Sequence, residues 1–464
     1  MRYVSTRGEA PELGFEDVLL TGLAPDGGLY VPKAWPSLGP GELEAMRGRP
    51  YTEFAFAVIA PFVGGAVPAS DLQAMIARSY ESFGHPAVAP LRQLDANLWL
   101  LELFHGPTLA FKDIAMQLVA RLMDWALDRG GRRSTILAAT SGDTGAAAVE
   151  AFRSSDHATL FVLHPKGRIS DVQRRQMTTV KSDNVYNIAV EGTFDDCQAI
   201  VKALFGDGPF RTRTALSGVN SINWARIVAQ AVYYVFSALA LGAPARRVNF
   251  TVPTGNFGDI YAGYVAKRMG APIERLVIAT NENDILDRTM KTGRYEMCDV
   301  RPTSSPSMDI QVSSNFERLL FEASGRDSGS VRAAMNGLSQ SGGFTIPEAS
   351  LARARRDFSS GTADESDTVE TIRTVFRSSG ETIEPHTAVG LKVARESMDG
   401  EAMISLATAH PAKFPDAVEK ATGIRPALPP RLAGLMVLEE RMSVLPSDAA
   451  AVKTFILDRI DHVS

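Results

Sequence analysis

The sequence predicts a doubly wound α/β architecture with largely parallel sheets, spread over two or three domains. Three observations carry this. From about residue 86 the chain repeats one rhythm of apolar strand, glycine turn and amphipathic helix. The strands are near-continuous apolar runs, as they must be when both faces of a sheet are covered. The chain also has 464 residues, more than one hydrophobic core ordinarily serves.

Residues 1–85 read as an N-terminal, helix-rich domain. Pro25-Asp26-Gly27-Gly28 is a turn that leads into the short strand Leu29-Tyr30-Val31. Helical patterns follow at Pro40 to Met46, Thr52 to Phe62 and Ala69 to Tyr80. In the remainder, 86–464, Asn97 to Phe104 is a strand, after which Ile114, Leu118, Leu122 and Trp125/Ala126 recur at helical spacing. Strand Thr135 to Thr140 and helix Ala146 to Phe152 come next. Strands Thr159 to Leu163 and Val185 to Val190 lead towards helices Asp171 to Thr179 and Asp195 to Leu204. Further strands fall at Val248 to Val252, Leu276 to Thr280 and Met403 to Thr408. In such sheets ligands sit at the carboxyl ends of the strands, where the glycine turns lie. Residues 325–370 are rich in Ser, Gly, Arg and Asp and only weakly periodic, so a helical insertion or flexible surface segment is expected there.

Composition narrows the partners. Lys plus Arg number 48 against 53 Asp plus Glu, a net charge of -5 that gives no reason for a nucleic-acid or membrane-surface partner. Any positive site must be local. Two cysteines in unrelated contexts, Cys197 and Cys298, fit a reducing compartment rather than a disulfide framework. The opening residues lack an apolar signal region, and the apolar run Ile227 to Leu241 is shorter than the ~20 residues a bilayer requires. A soluble, cytoplasmic protein is therefore expected, with no metal: no histidine pair or cysteine pair stands at ligand spacing. No P-loop is present.

Three features carry chemistry. Lys112 stands in His105-Gly106-Pro107-Thr108-Leu109-Ala110-Phe111-Lys112-Asp113, where an apolar run gives way to a helix. A partly desolvated lysine there could form a Schiff base with a carbonyl cofactor; an ordinary solvated lysine is the alternative. Two strand-to-helix loops, Thr140-Ser141-Gly142-Asp143-Thr144-Gly145 and Pro253-Thr254-Gly255-Asn256-Phe257-Gly258, offer helix N-termini and hydroxyls to anions. Glycine turns with capping residues are also common in every α/β protein. Arg226 ends Asn220-Ser221-Ile222-Asn223-Trp224-Ala225-Arg226 at the mouth of the long apolar helix, where it suits a phosphate or carboxylate, or else pairs with a surface acid.

Lys166 and Arg168 could add positive charge or form a solvated turn. Thr408 ends a buried strand, and His105 and His386 are acid–base candidates or satisfied structural histidines. Together, a lysine for a carbonyl cofactor, a glycine loop for its phosphate and a second anion site follow the logic of a pyridoxal-phosphate enzyme.

These motifs, in order, together with Leu406-Ala407-Thr408-Ala409-His410-Pro411-Ala412-Lys413-Phe414 and the opening Tyr3-Val4-Ser5-Thr6-Arg7, resemble the threonine synthase family. That family belongs to the fold type II, tryptophan synthase β-like pyridoxal-phosphate enzymes. The resemblance covers nearly the whole chain. It implies two doubly wound, mainly parallel-sheet domains plus an N-terminal α-rich domain, with a smaller mobile subdomain at roughly 131–235 closing over the substrate.

The resemblance also implies roles. Lys112 forms the Schiff base with pyridoxal 5'-phosphate and shuttles protons, Gly255, Asn256, Phe257 and Gly258 cradle the cofactor phosphate, and Thr408 and Asp143 lie near its ring. Some relatives carry Asn at the position of Asp143, where an acid would be protonated or would disfavour a negative ring oxygen. Ser141 and Thr144 hold the substrate carboxylate, and Asn220, Ser221, Arg226 and Lys166 the substrate phosphate. The implied reaction is a carbon–oxygen lyase reaction that converts O-phospho-L-homoserine and water to L-threonine and phosphate, in a monomer or homodimer. Other readings are a serine/threonine dehydratase, a β-replacing synthase and a non-catalytic sensor of phosphorylated metabolites. The first two leave the second anion site unexplained, and a sensor needs no Schiff-base lysine.

Overall fold

The computed structural model describes residues 1–460. They form two compact units. One comprises Met1–Val18, Leu23–Phe111 and Ser221–Pro426; the other comprises Leu19–Gly22, Lys112–Asn220 and the chain from Ala427 on.

The first unit is built on a six-stranded sheet in the order Phe358–Thr362, Ile273–Thr280, Val248–Pro253, Ala402–Ala407, Leu98–Glu102, Leu91–Asp95. All neighbours are parallel except the last pair. Val248–Pro253 and Ala402–Ala407 are buried along their whole length, which is why they read as unbroken apolar runs. Thr251 stands opposite Ser405, and Leu406 opposite Leu101, so these three strands end level with one another. The loop after Pro253 and Thr408 therefore leave the sheet along one edge.

Helix Trp224–Ala240 is the apolar run seen in the sequence, and it is buried almost all round. The N-terminal region packs on it: the rings of Phe54 and Tyr51 lie 5.0 and 5.3 Å from Phe236, and Phe62 lies 5.8 Å from Trp224. That aromatic contact makes residues 1–85, apart from Leu19–Gly22, part of the first unit rather than a separate compact body. Residues 325–370 are more regular than their composition predicts. Three helices, Ser328–Ser341, Glu348–Asp357 and Glu365–Ser379, flank Phe358–Thr362, which adds an edge strand beside Ile273–Thr280. Its Phe-Ser-Ser-Gly-Thr sequence is half exposed and lacks an apolar signature.

The second unit holds a five-stranded, wholly parallel sheet in the order Ser443–Pro446, Val185–Glu191, Ala158–Pro165, Ser134–Ala139, Leu216–Ser217. Leu137, Phe161 and Ile188 of the sheet share a core with Cys197 and Ile200 of helix Phe194–Gly206 and with Val452 and Ile456 of helix Ala449–Ile460. These limits differ from the expected 131–235. Helix Lys112–Arg129 packs on helix Asp143–Phe152, which draws the boundary back to Lys112. Residues 221–235 go instead with helix Trp224–Ala240, and the C-terminal strand adds an edge that local sequence does not announce. Among the described residues no helix is long and apolar enough to cross a membrane, and no three His, Cys, Asp or Glu side chains cluster to hold a metal.

Candidate active site

Lys112 is the first residue of helix Lys112–Arg129, and only 11% of its side chain is exposed. It is not a solvated surface lysine. Its Nζ lies 3.4 Å from Oδ2 of Asp143, the first residue of helix Asp143–Phe152. The other oxygen of Asp143 accepts from Nε2 of Gln173 at 2.8 Å. The loop before Asp143 is folded by Thr140, whose Oγ1 accepts the N–H groups of Gly142 (3.0 Å) and Gly145 (2.8 Å). Gly142 has φ 138°, and a Cβ there would fall 2.5 Å from the Gln173 amide carbon, so the turn requires glycine. Ser141 and Thr144 flank it, both half-buried.

In the first unit, the second loop is held from behind. The Gly255 carbonyl accepts from Ser313 Oγ at 2.7 Å, and the Asn256 carbonyl accepts from the backbone N–H (3.1 Å) and Nδ2 (3.0 Å) of Asn315. Phe257 takes φ 62°, a strained value for a residue with a Cβ, with its buried ring packed 5.3 Å from Phe316 and 5.6 Å from Phe358. It precedes helix Gly258–Arg268 and contributes no side-chain capping bond. A helix start of this kind keeps N–H groups for an anion. A Cβ at Gly255 would lie 2.6 Å from the Ser307 carbonyl oxygen, so the loop is pressed against its neighbour.

Arg226 sits in the first turn of helix Trp224–Ala240, which Asn223 caps through its side chain. The guanidinium is 4% exposed, and burial pulls it down to about 10, so it is still charged at neutral pH. Thr408 is buried directly after its strand, and its carbonyl accepts the Phe111 N–H at 2.8 Å. Lys413 Nζ donates to the Thr108 carbonyl at 2.7 Å, and Leu109 is held at φ 63°. These contacts pin the chain just ahead of Lys112.

The structure thus joins Lys112 to Asp143, and Ser221 to Asn256 through Asn315, whose Nδ2 also reaches the Ser221 carbonyl at 3.2 Å. The remaining candidates have these surroundings. Lys166 is exposed and pairs with Glu191 at 3.0 Å, and Arg168 and Asn220 are exposed. His105 pairs with Glu102 at 2.7 Å. His386 is bracketed by Glu384 at Nδ1 (2.6 Å) and the Ser307 N–H at Nε2 (3.2 Å), an arrangement that steadies the segment against Gly255. Gln173, Ser313, Asn315 and Arg318 carry no sequence signal that marks them, because their work is done by long-range contacts.

The family model for the threonine synthase N terminus matches residues 2–80, that for pyridoxal-phosphate-dependent enzymes matches 85–404, and that for the threonine synthase C-terminal region matches 387–456. A threonine synthase of Pseudomonas aeruginosa is 54% identical over 459 residues, 98% of each chain. The chain belongs to the threonine synthase family. A crystal structure of PLP-bound threonine synthase from Brucella melitensis is similar at TM-score 0.97 and 57% identity, covering 99% of each chain. That of the yeast threonine synthase is similar at TM-score 0.93 and 40% identity, again over 99% of each.

As a threonine synthase family member the chain is a fold type II, pyridoxal-phosphate-dependent enzyme. Its residues fit that cofactor. A buried amine stands at Lys112, and the helix start at Gly258 is preceded by a loop too tight at Gly255 for any Cβ.

Proposed function

We propose that the protein converts O-phospho-L-homoserine and water into L-threonine and phosphate, the last step of threonine biosynthesis, as a cytoplasmic monomer or homodimer. The observation that carries the choice of substrate is Arg226, a buried guanidinium in the first turn of helix Trp224–Ala240 and five residues after Ser221 in the chain. A guanidinium placed so suits a phosphate.

Pyridoxal phosphate, when bound, supplies the carbonyl and the electron sink. Gly255, Asn256, Phe257 and Gly258 would hold its phosphate, and Thr408 and Asp143 would hold its ring. The amine of Lys112 would hold the cofactor's carbonyl, and it would take the proton from the substrate's α-carbon and later return it. Asp143, tied by Gln173, keeps Nζ of Lys112 directed. Ser141 and Thr144 bind the substrate carboxylate. Arg226, with Ser221 and Asn220, binds the γ-phosphate and stabilises the negative charge that builds as it leaves. A β-proton is lost as the γ-phosphate departs, the γ-carbon gains a proton to become the methyl group, and water then adds its hydroxyl at the β-carbon and releases its other proton. We assign Lys166 to its surface pair with Glu191 rather than to the substrate.

The test is an absorbance spectrum of the holoenzyme before and after O-phospho-L-homoserine is added, with phosphate release followed in parallel. A visible band that shifts, with phosphate and threonine formed, is the expected result. A band that ignores this substrate while serine or threonine is deaminated would make the protein a dehydratase.

A further inference from the structure

The segment from Ser313 to Arg318 belongs to none of the motifs assigned above, yet it connects two of them. Asn315 is fully buried, at 0% exposure. Its Nδ2 donates to the Ser221 carbonyl (3.2 Å) and the Asn256 carbonyl (3.0 Å), and its backbone N–H donates to the Asn256 carbonyl as well (3.1 Å). Gly258 approaches so closely that a Cβ there would lie 3.3 Å from Nδ2 and 3.6 Å from the Ser221 carbonyl oxygen. The side-chain oxygen of Asn315 accepts from Arg318. Arg318 is itself buried, and its remaining donors reach the Ile222 carbonyl (2.6 Å) and the Tyr30 carbonyl (3.1 Å). Ser313 Oγ completes the set on the Gly255 carbonyl at 2.7 Å.

A loop that turns its N–H groups towards an anion turns its carbonyls the other way, and in a dry interior those carbonyls need donors. Here the carbonyls of Ser221, Ile222, Gly255 and Asn256 all end on one six-residue stretch. The amide is well suited to the place. Nδ2 offers two donors to two carbonyls, and Oδ1 offers an acceptor to a guanidinium, which also prevents the amide from flipping.

We infer that Asn315 is a positioning residue that sets the spacing between the Ser221 loop and the Gly255–Gly258 loop, and thereby between the substrate phosphate and the cofactor phosphate. This rests on the reading above, in which those loops take those two phosphates. Neither anion loop holds its place alone. Each is braced on the same side chain.

Asn315→Asp tests this. It removes both side-chain donors while keeping an oxygen for Arg318. Two constants are read: the dissociation constant for pyridoxal phosphate, from titration of the cofactor-free protein, and KM for O-phospho-L-homoserine. Both are expected to rise about tenfold, with kcat held within about threefold. Ser313→Ala, which frees only the Gly255 carbonyl, is expected to weaken the cofactor alone. Should Asn315→Asp not fold, Arg318→Lys carries the test and is expected to raise both constants together.

Pyridoxal, which lacks the phosphate, separates the two levels of the argument. Wild-type protein that binds pyridoxal as tightly as pyridoxal phosphate would overturn the loop assignment, and the inference with it. With that discrimination intact, an Asn315→Asp protein in which only one constant moves, or only kcat falls, overturns the role given to Asn315.

Discussion

Nζ of Lys112 lies 3.4 Å from Oδ2 of Asp143, and only 11% and 5% of the two side chains are exposed. Each residue opens a helix, so backbone geometry fixes both Cα positions before any side chain chooses a rotamer. A buried cation placed this way needs its partner, and a buried partner needs to be held. Gln173 holds it. The lysine expected to act on substrate is therefore aimed by a chain of three side chains, of which only Lys112 and Asp143 stand in recognisable motifs.

Replacing Lys112 separates charge from chemistry. Lys112→Arg keeps a cation beside Asp143 but cannot release a proton near neutral pH. It is expected to fold with a thermal midpoint close to wild type and to lose turnover by about a thousandfold or more, with no Schiff-base band. Lys112→Ala loses the same activity and also leaves the Asp143 carboxylate without this cation, so its thermal midpoint drops. Equal midpoints for the two variants would show that the pair contributes nothing to stability.

Gln173 and Gly142 act on the same carboxylate. Gln173→Leu removes the 2.8 Å bond to Asp143 while keeping a side chain of similar size. The expected result is a fall in kcat of about tenfold with KM little changed, because the hydroxyls of Ser141 and Thr144, proposed to bind the substrate carboxylate, are untouched. Gly142→Ala meets both an unfavourable φ and the Gln173 side chain, and should cost about 1–3 kcal/mol in urea unfolding as well as activity. A Gly142→Ala protein as stable as wild type would mean the turn relaxes freely.

At Gly255 the expected effect is on the cofactor. A methyl group there would press on the Ser307 carbonyl, 2.6 Å away, and the backbone would have to shift. Gly255→Ala is expected to weaken pyridoxal phosphate about tenfold or more while pyridoxal binding stays near its wild-type value. Equilibrium titration of the cofactor-free protein with each ligand decides it.

How much of this was legible follows from the range of each interaction. The strands at Val248 and Ala402 announced themselves because both faces are buried, and the loops at Gly142 and Gly255 because tight turns need particular residues. Lys112 could be singled out by its neighbours in sequence. Asn315, Arg318 and Gln173 could not, since an Asn or Gln in a polar stretch looks the same whether it faces water or a buried carbonyl. The limits of the two compact units are hidden in the sequence for a related reason. Strand Ser443–Pro446 is short and half exposed, and only its pairing with Val185–Glu191 reveals where it belongs. Lys166 illustrates the reverse case: it follows a buried strand, as a ligand would, yet its side chain turns out to Glu191.

The C-terminal segment supplies a pH test. Glu440 Oε2 accepts from Arg174 Nε at 2.8 Å and from Thr178 Oγ1 at 2.8 Å, and Oε1 accepts from Arg174 Nη2 at 3.1 Å. The hydrogen bond from Arg174 is the main reason its carboxyl is held below the usual range. A carboxyl with a folded pKa below its unfolded value adds stability above about pH 4.3, and that stability is lost as pH falls through the folded pKa. Glu440→Gln should therefore lower stability at pH 7 by about 1 kcal/mol, a modest figure because the pair is partly solvated. The gap between wild type and variant should narrow as pH falls below about 4.3, the unfolded value, and close as pH passes the lower folded value, where the wild-type carboxyl also loses its charge. Urea midpoints of both proteins from pH 7 to about pH 3 give the comparison. A gap that stays constant across that range would place the contribution of Glu440 in its packing rather than in its pairing with Arg174.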